Sequence, residues 1–240
     1  MINKKRYSIS IVLPTFNEKE NIKILIPELE KFFQTYKECI LKEIVVVDDY
    51  SPDNTAGVCI EMNRKYGNIV LIQKQKEGIG AALQKGYFHA KGDIIVSMDS
   101  DLSFEVDDIK KLLEKIEQGY DLVLGCRHLI KGHYEKKELA TKIKGTVSSL
   151  GNKLIPLFTG IKLHDFSANF RAVKNNVWKS IDVQDQTNFM LLEMIIKTKK
   201  KGFKITETPV TFKERVYGKS KLNLFVESLR FLYKIIFSFY

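Results

Sequence analysis

Asp93-Ile94-Ile95-Val96-Ser97-Met98-Asp99-Ser100-Asp101 is the stretch that decides the fold. A short apolar run introduced by Gly92-Asp93 reads as a buried strand, and acids at its carboxyl end lie where open α/β sheets bind ligands. A loop there can turn the carboxylates of Asp99 and Asp101 toward one ion. Two hard oxygen ligands suit Mg²⁺ or Mn²⁺, and such an ion in turn holds a diphosphate. Alone, a D-x-D triplet is a common solvated turn. A second acidic strand end gives it weight.

Outward from that strand, the pattern alternates. Ile9 to Leu13, Ile44 to Val47, Ile69 to Ile72 and Leu122 to Leu124 read as further strands. Between them lie helix-like segments over Glu18 to Phe33, from Asp53-Asn54-Thr55 to Tyr66-Gly67, and over Gly80 to Ala90. Ile109, Leu112, Leu113 and Ile116 stripe one more helix. This order predicts an α/β fold: an open, mostly parallel sheet with helices on both faces. After Arg127 the pattern changes. Ile130 to Tyr134 reads as a loop, Glu138 to Phe158 as a Lys-rich helical stretch, and Asn188 to Lys201 as a helix with Glu193 in an apolar face. Phe203 to Phe212 reads as an edge strand carrying Pro209. An amphipathic helix is expected over Leu222 to Tyr240, so the chain divides into a domain over 1–221 and an appendage over 222–240.

At 240 residues the chain can bury one sizeable core. Its net charge is +10, and Lys199 to Tyr240 holds ten Lys or Arg against three Glu. A basic end with interleaved aromatics suits an anionic lipid surface, a phosphate-bearing substrate or nucleic acid. Cys39, Cys59 and Cys126 are too scattered for a disulfide framework or zinc site and point to a reducing compartment. No window of eighteen uncharged apolar residues exists, and the N-terminus lacks the marks of a signal peptide. The expected location is the cytoplasmic face of a membrane, held peripherally.

Three strand ends carry polar groups toward one crevice. Asp48-Asp49 follows Val45-Val46-Val47 and opens D-D-Y-S-P-D-N-T, in which Asp53 reads as a helix cap. Asp49 can accept the imino hydrogen of a nucleobase. At the end of the first strand, Phe16 can flank a base beside Pro14, while Glu18 either reaches a ribose or caps the first helix. Gly78-Ile79-Gly80 lacks a third glycine at position 83, so it reads as a tight turn opening a helix rather than a dinucleotide fingerprint. The four histidines show no ligand spacing. Glu193 is a candidate partner for a buried arginine.

The ordered blocks P-T-F-N-E, V-V-V-D-D-x-S-x-D-x-T, G-x-G-A-A, M-D-S-D-L and G-C-R resemble the nucleotide-sugar domain of glycosyltransferase family 2. D-F-S-A-N-F-R-A at Asp165 to Ala172 and E-T-P-V-x-F-x-x-R-x-x-G-x-S-K-L at Glu207 to Leu222 narrow the resemblance to the dolichyl-phosphate mannose synthases and their polyprenyl-phosphate relatives. It covers nearly the whole chain. By position it implies that Asp99, Ser100 and Asp101 meet the metal and donor diphosphate, with Asp49, Pro14, Phe16 and Glu18 around the nucleoside. Arg127, Arg215 and Lys221 would line the phosphate end, with Ser220 adding a hydrogen bond, and Lys144 and Ser148 would meet the acceptor phosphate. Ser103 stands where the family carries a metal-binding Gln, and Ala168 and Asn169 where Ser or Asn and Gly are commoner.

The resemblance implies an inverting transferase that moves one sugar, mannose from GDP-mannose, onto dolichyl or polyprenyl phosphate with Mg²⁺ or Mn²⁺. A UDP-sugar donor (glucose or N-acetylhexosamine) is the alternative. A non-catalytic nucleotide- or nucleic-acid-binding protein is the alternative of another class; acidic strand ends speak against nucleic acid as a partner. Relatives that attack with a sugar hydroxyl carry a base in an E-D pair and a Q-x-x-R-W block, and this chain has neither. For the C-terminal stripe, a membrane interface, the domain's own core and a membrane-spanning partner all remain open.

Overall fold

The apolar runs at Ile9, Ile44, Ile69, Ile94 and Leu122 form the strands their sequence predicts. The computed structural model of the protein describes residues 6–129, 160–213, 215 and 234. In chain order these form β1 (Tyr7–Thr15), α1 (Lys19–Thr35), β2 (Cys39–Asp48), α2 (Thr55–Tyr66), β3 (Ile69–Gln73), α3 (Ile79–His89) and β4 (Ile94–Ser97). A 3₁₀ turn over Val106–Asp108 leads into α4 (Ile109–Glu117). Then come β5 (Leu122–Cys126), β6 (Arg171–Lys174), α5 (Asn175–Ser180), α6 (Met190–Lys200) and β7 (Ile205–Pro209).

The seven strands lie in the order β3-β2-β1-β4-β6-β5-β7. Among the described strands only β6 runs against its neighbours, inserted between β4 and β5. The sheet is therefore mostly parallel, as expected, with β7 at the edge where Pro209 is tolerated. Alternate residues of the central strands serve two cores. Ile9, Ile11, Leu13, Ile44, Val46 and Val96 face α1, α2 and α4. Val12, Val45, Val47 and Ile95 face α3 and α6. Register brings the carboxyl ends of β1, β2 and β4 level: Thr15 lies opposite Asp48, and Val12 opposite Ser97. The polar residues that follow these strands consequently share one rim.

The G-I-G-A-A turn acts by close approach. A Cβ on Gly80 would lie 2.1 Å from the Thr187 carbonyl oxygen. Here Ala81 N–H donates to Gln186 O at 2.9 Å, and Gln84 Nε2 donates to Val183 O and Asp185 O. The loop before α6 is thus stitched to the start of α3.

Glu193 does not partner a buried arginine. It accepts hydrogen bonds from the Gln184 and Asp185 amides and pairs with Lys197 at 2.7 Å. Its place in the first turn of α6 aims it at that loop. Among the described residues the buried arginine is Arg171, fully enclosed and bonded to the carbonyls of Ala168 and Leu191. The expected Ile130–Tyr134 loop, the helix over 138–158 and all but one residue of the 222–240 stripe lie outside the described residues. That one residue, Lys234, bonds Asp185 and Thr187 and stands 5.6 Å from the Phe189 ring.

Replacing Gly80 by Ala sets a side chain against main chain that three hydrogen bonds hold in place. Overpacking should outweigh the roughly 1 kcal/mol of helix propensity gained, leaving a net loss of about 1–2 kcal/mol. A urea titration should show a lower midpoint at unchanged slope.

Candidate active site

The rim is built strand end by strand end. At the end of β4, Met98 N–H donates to Val12 O, and Ser100 Oγ donates to Pro14 O at 2.9 Å. These bonds tie the D-S-D turn to the end of β1. Leu102 takes a left-handed conformation (φ 62°), uncommon for a bulky residue, which folds the turn back on itself. Asp101 Oδ1 then accepts Ser103 N–H at 3.1 Å and the Ser103 hydroxyl. Asp101 Oδ2 accepts Arg215 Nη2 at 2.8 Å. Asp99 Oδ1 accepts the side-chain amide of Asn169 at 3.1 Å.

At the end of β2 the two adjacent acids diverge. Asp48 is fully buried and takes Ser51 N–H, the Ser51 hydroxyl and the Thr15 hydroxyl. It is a scaffold residue. Asp49 turns the other way and accepts Lys74 Nζ at 3.1 Å. Lys74 also donates to Gln75 O and pairs with Glu77 at 3.2 Å. Burial pushes the Asp49 carboxyl up, opposed by the Lys74 hydrogen bond and charge. Phe16 lies beneath Lys76, whose Nζ is 3.6 Å from the ring centre. Asn54, not Asp53, stands at the cap of α2; Asp53, one residue earlier, accepts the first amide of α2, Thr55 N–H, and that of α1, Lys19 N–H. Glu18 precedes α1, and its carboxylate accepts Asn21 Nδ2.

The third side of the rim follows β5. Arg127 grips the fully buried Asp165 through a fork, Nε to Oδ2 at 2.7 Å and Nη2 to Oδ1 at 2.9 Å, with Nη2 also donating to Ser167 Oγ. Burial alone would raise Asp165; the Arg127 guanidinium and its hydrogen bonds hold it below the usual carboxylate range. The guanidinium also lies 5.3 Å from the Phe212 ring centre.

The structure thus brings Pro14, Phe16, Glu18, Asp49, Asp99, Ser100, Asp101, Ser103, Arg127 and Arg215 to one edge of the sheet. Lys144, Ser148, Ser220 and Lys221 lie outside the described residues. Sequence reasoning passed over Lys74, Lys76 and the orienting roles of Asp165 and Asn169. The D-F-S-A-N block pointed to the last two without their geometry; a lone lysine after a short strand carries no signal.

The chemistry of the donor set fits a divalent cation. Burial and the neighbouring Asp101 charge push the Asp99 carboxyl up to about 6, so the pair gains from a cation between them. Asp101 already binds one, the Arg215 guanidinium. Among the described residues no group of three His, Cys, Asp or Glu side chains converges as an all-protein metal site. Two carboxylates completed by substrate phosphate and water is the usual arrangement for Mg²⁺.

Residues 10–181 match the family described as Glycosyl transferase family 2. The chain is similar to a dolichol-phosphate mannosyltransferase of Pyrococcus furiosus, 33% identical over 232 residues covering 95% of this chain and 63% of that protein. It thus spans somewhat less than two thirds of that relative's length. It is also similar to a polyprenol monophosphomannose synthase of Mycolicibacterium smegmatis, 27% identical over 226 residues, 89% of this chain and 80% of that protein. Among solved structures, glucosyl-3-phosphoglycerate synthase from Mycobacterium tuberculosis in complex with Mn²⁺, uridine-diphosphate and phosphoglyceric acid gives a TM-score of 0.74 at 18% identity, covering 97% of this chain and 78% of that one. The same enzyme with Mg²⁺ and uridine-diphosphate gives 0.73 at 17% identity, covering 97% and 79%. At that identity the likeness is one of fold.

The raised Asp99 carboxyl has a sign that can be measured. Its folded value exceeds its unfolded value, so ionising it destabilises the fold; that cost is absent below about pH 4, grows toward pH 6 and is complete above it. In chelator at about pH 7.5, Asp99→Asn should therefore raise stability by about 1–2 kcal/mol while lowering activity. The stability gain should vanish by about pH 4. Denaturant titrations at the two pH values check this; a variant less stable than wild type at the higher pH would contradict it.

Proposed function

The chain belongs to glycosyltransferase family 2, and from that premise we propose that it transfers one mannose from GDP-mannose to a dolichyl or polyprenyl phosphate. The observation that carries this reading is the meeting of Arg215 with Asp101. It sets the arginine of the R-x-x-G-x-S-K block on the D-S-D turn, where a diphosphate would leave and a phosphate would arrive. The printed names of the two curated relatives supply the sugar and the lipid-phosphate class.

In this reading Asp49 accepts the imino hydrogen of the base while Lys74, 3.1 Å away, donates to the adjacent carbonyl. An acceptor beside a donor suits guanine or uracil and rejects adenine, whose edge has the opposite polarity. Phe16 flanks the base. Asp99 and Asp101 hold Mg²⁺ or Mn²⁺, which when bound neutralises charge on the departing diphosphate. The acceptor phosphate oxygen attacks C1 of the sugar in line; the C1–O bond to the diphosphate breaks and its electron pair leaves with GDP, inverting the configuration. A phosphate monoester has a second pKa of about 6, so the nucleophile is already anionic and needs positioning rather than deprotonation. Arg127 and Arg215, with Lys144, Ser148, Ser220 and Lys221 by position in the sequence, would supply that positioning. UDP-sugar transfer is the second reading, favoured by the fold shared with the UDP-binding synthase.

No helix among the described residues is long and apolar enough to cross a membrane. We place the protein peripherally at the cytoplasmic face, with residues 1–221 as the catalytic domain. The 222–240 stripe would lie between domain and lipid, fastened to the domain at Lys234.

Radiolabelled GDP-mannose, UDP-glucose and UDP-N-acetylglucosamine, each offered with a short polyprenyl phosphate, should yield lipid-extractable label from GDP-mannose above the others. Asp101→Asn should lower kcat/KM on the order of 100-fold or more, with the thermal midpoint retained, and chelator should abolish turnover. Label appearing equally in chelator would remove the metal from the mechanism.

Anionic liposomes test the membrane assignment. Attraction of about 1 kcal/mol per basic residue is screened by salt, whereas burial of Phe and Tyr is not. Binding should weaken but persist as salt rises, and truncation after Leu222 should abolish it with the domain still folded.

A further inference from the structure

We propose that in the donor-free protein Arg215 occupies the cation position of the D-S-D turn, so that a divalent ion must compete with it for Asp101. This rests on the reading that Asp99 and Asp101 hold the ion. Asp101 has both oxygens engaged: Oδ1 with Ser103 and Oδ2 with Arg215 Nη2 at 2.8 Å. Oδ1 is filled by Ser103, and the lone pair left on Oδ2 lies beside the Arg215 guanidinium, so an ion that ligates Asp101 there meets that positive charge and binds fully only as the guanidinium withdraws. The Ser103 bond lies within the turn and is buried, whereas the Arg215 side chain is 30% exposed and can swing out.

Arg215 is not over Asp101 by chance of a long side chain. The segment leading to it is zipped onto the turn's own continuation. Thr211 N–H donates to Asp108 Oδ2 at 2.6 Å, Lys213 N–H donates to Ser103 O at 2.8 Å, and Phe104 bridges Phe212 with their rings 5.1 Å apart. Lys213 pairs with Glu105 in addition. Much of the entropy that a charged pair ordinarily loses on forming is therefore removed by the backbone. A binding-competent state populated in only a fraction of molecules raises the apparent Kd by the inverse of that fraction. A diphosphate changes the balance, because it adds ligands to the ion and offers Arg215 another anion. Ion and donor would then enter as a linked pair, and the ion alone would bind weakly.

Titration of the full chain with Mn²⁺ alone, read by the loss of the free-ion electron paramagnetic resonance signal, tests this without turnover. Arg215→Gln should tighten Mn²⁺ about five- to tenfold, the tax expected if Arg215 covers Asp101 in most molecules. Lys213→Gln removes a neighbouring positive charge and leaves the Asp101–Arg215 pair, so it should change Kd less than about twofold. Asp101→Asn should weaken binding more than about tenfold, whether or not Arg215 is present. Unchanged or weaker binding by Arg215→Gln, with Asp101→Asn still impaired, would overturn the competition and leave the ion site standing. An equal gain from Lys213→Gln would reduce the effect to general charge and also overturn it. Wild-type affinity in Asp101→Asn would remove the ion site, and the inference with it.

Discussion

Asp99 and Asp101 sit one residue apart at the end of a fully buried strand, and keeping both charged there is the constraint to which the surrounding structure answers. Two carboxylates this close repel, and the low dielectric at a strand end strengthens the repulsion. The answer comes from three sides. Asn169 donates to Asp99, Ser103 to one oxygen of Asp101, and Arg215 to the other. Ser103 lies within the turn itself, whereas Asn169 and Arg215 are far from their partners in sequence. Asn169 arrives from the turn before β6, and Arg215 from the segment after β7. The pairing of β6 with β4 brings Asn169 to the turn, and the segment zipped onto Ser103, Phe104 and Asp108 brings Arg215.

The same economy appears at the end of β2, where position alone divides two adjacent acids. Asp48 continues the strand's inward alternation and is consumed by Ser51 and Thr15, which fix the loop that carries Asp49. Asp49 faces the rim and is matched by Lys74 from the next strand end. Burial pushes the Asp49 carboxyl up and Lys74 opposes it, and on the proposed reaction the pair would offer a base an acceptor and a donor side by side. Specific recognition of a planar base edge needs that adjacency more than it needs net charge.

Much of this was legible in the sequence where chemistry and periodicity coincide. The apolar runs at Ile9, Ile44, Ile69, Ile94 and Leu122 became strands, and the acids that follow them became the rim, because a buried parallel strand must be apolar throughout and must end at something polar. β6 escaped notice because it is four residues long and contains Arg171 and Lys174, with no run to read. Its burial comes from the neighbours on both sides, a tertiary effect. Lys74 escaped for a similar reason: its partner is 25 residues away and no local pattern joins them. Glu193 was legible as an unusual acid on an apolar helix, but besides Lys197 its partners are main-chain amides of a preceding loop. Sequence spacing within the helix cannot locate those.

Arg171 shows how the site is supported from beneath. A guanidinium fully enclosed and bonded to carbonyl oxygens is a costly thing to bury, and hydrophobic replacement of buried charges is often neutral or stabilising. What it gains is placement. Its bonds to Ala168 and Leu191 join the D-F-S-A-N turn to α6, and that turn carries both Asp165, which orients Arg127, and Asn169, which orients Asp99. Ser97 adds to this by donating to Asn169 O, with Tyr87 hydrogen-bonded to Ser97 from below. The anionic and cationic halves of the rim are therefore held by one short turn. On the proposed reaction this has a direct use: diphosphate departs from the acidic half and phosphate arrives at the basic half. Their separation must be fixed to a fraction of an ångström for in-line attack. A rigid turn anchored by a buried arginine supplies that distance independently of the more exposed Arg215 side chain.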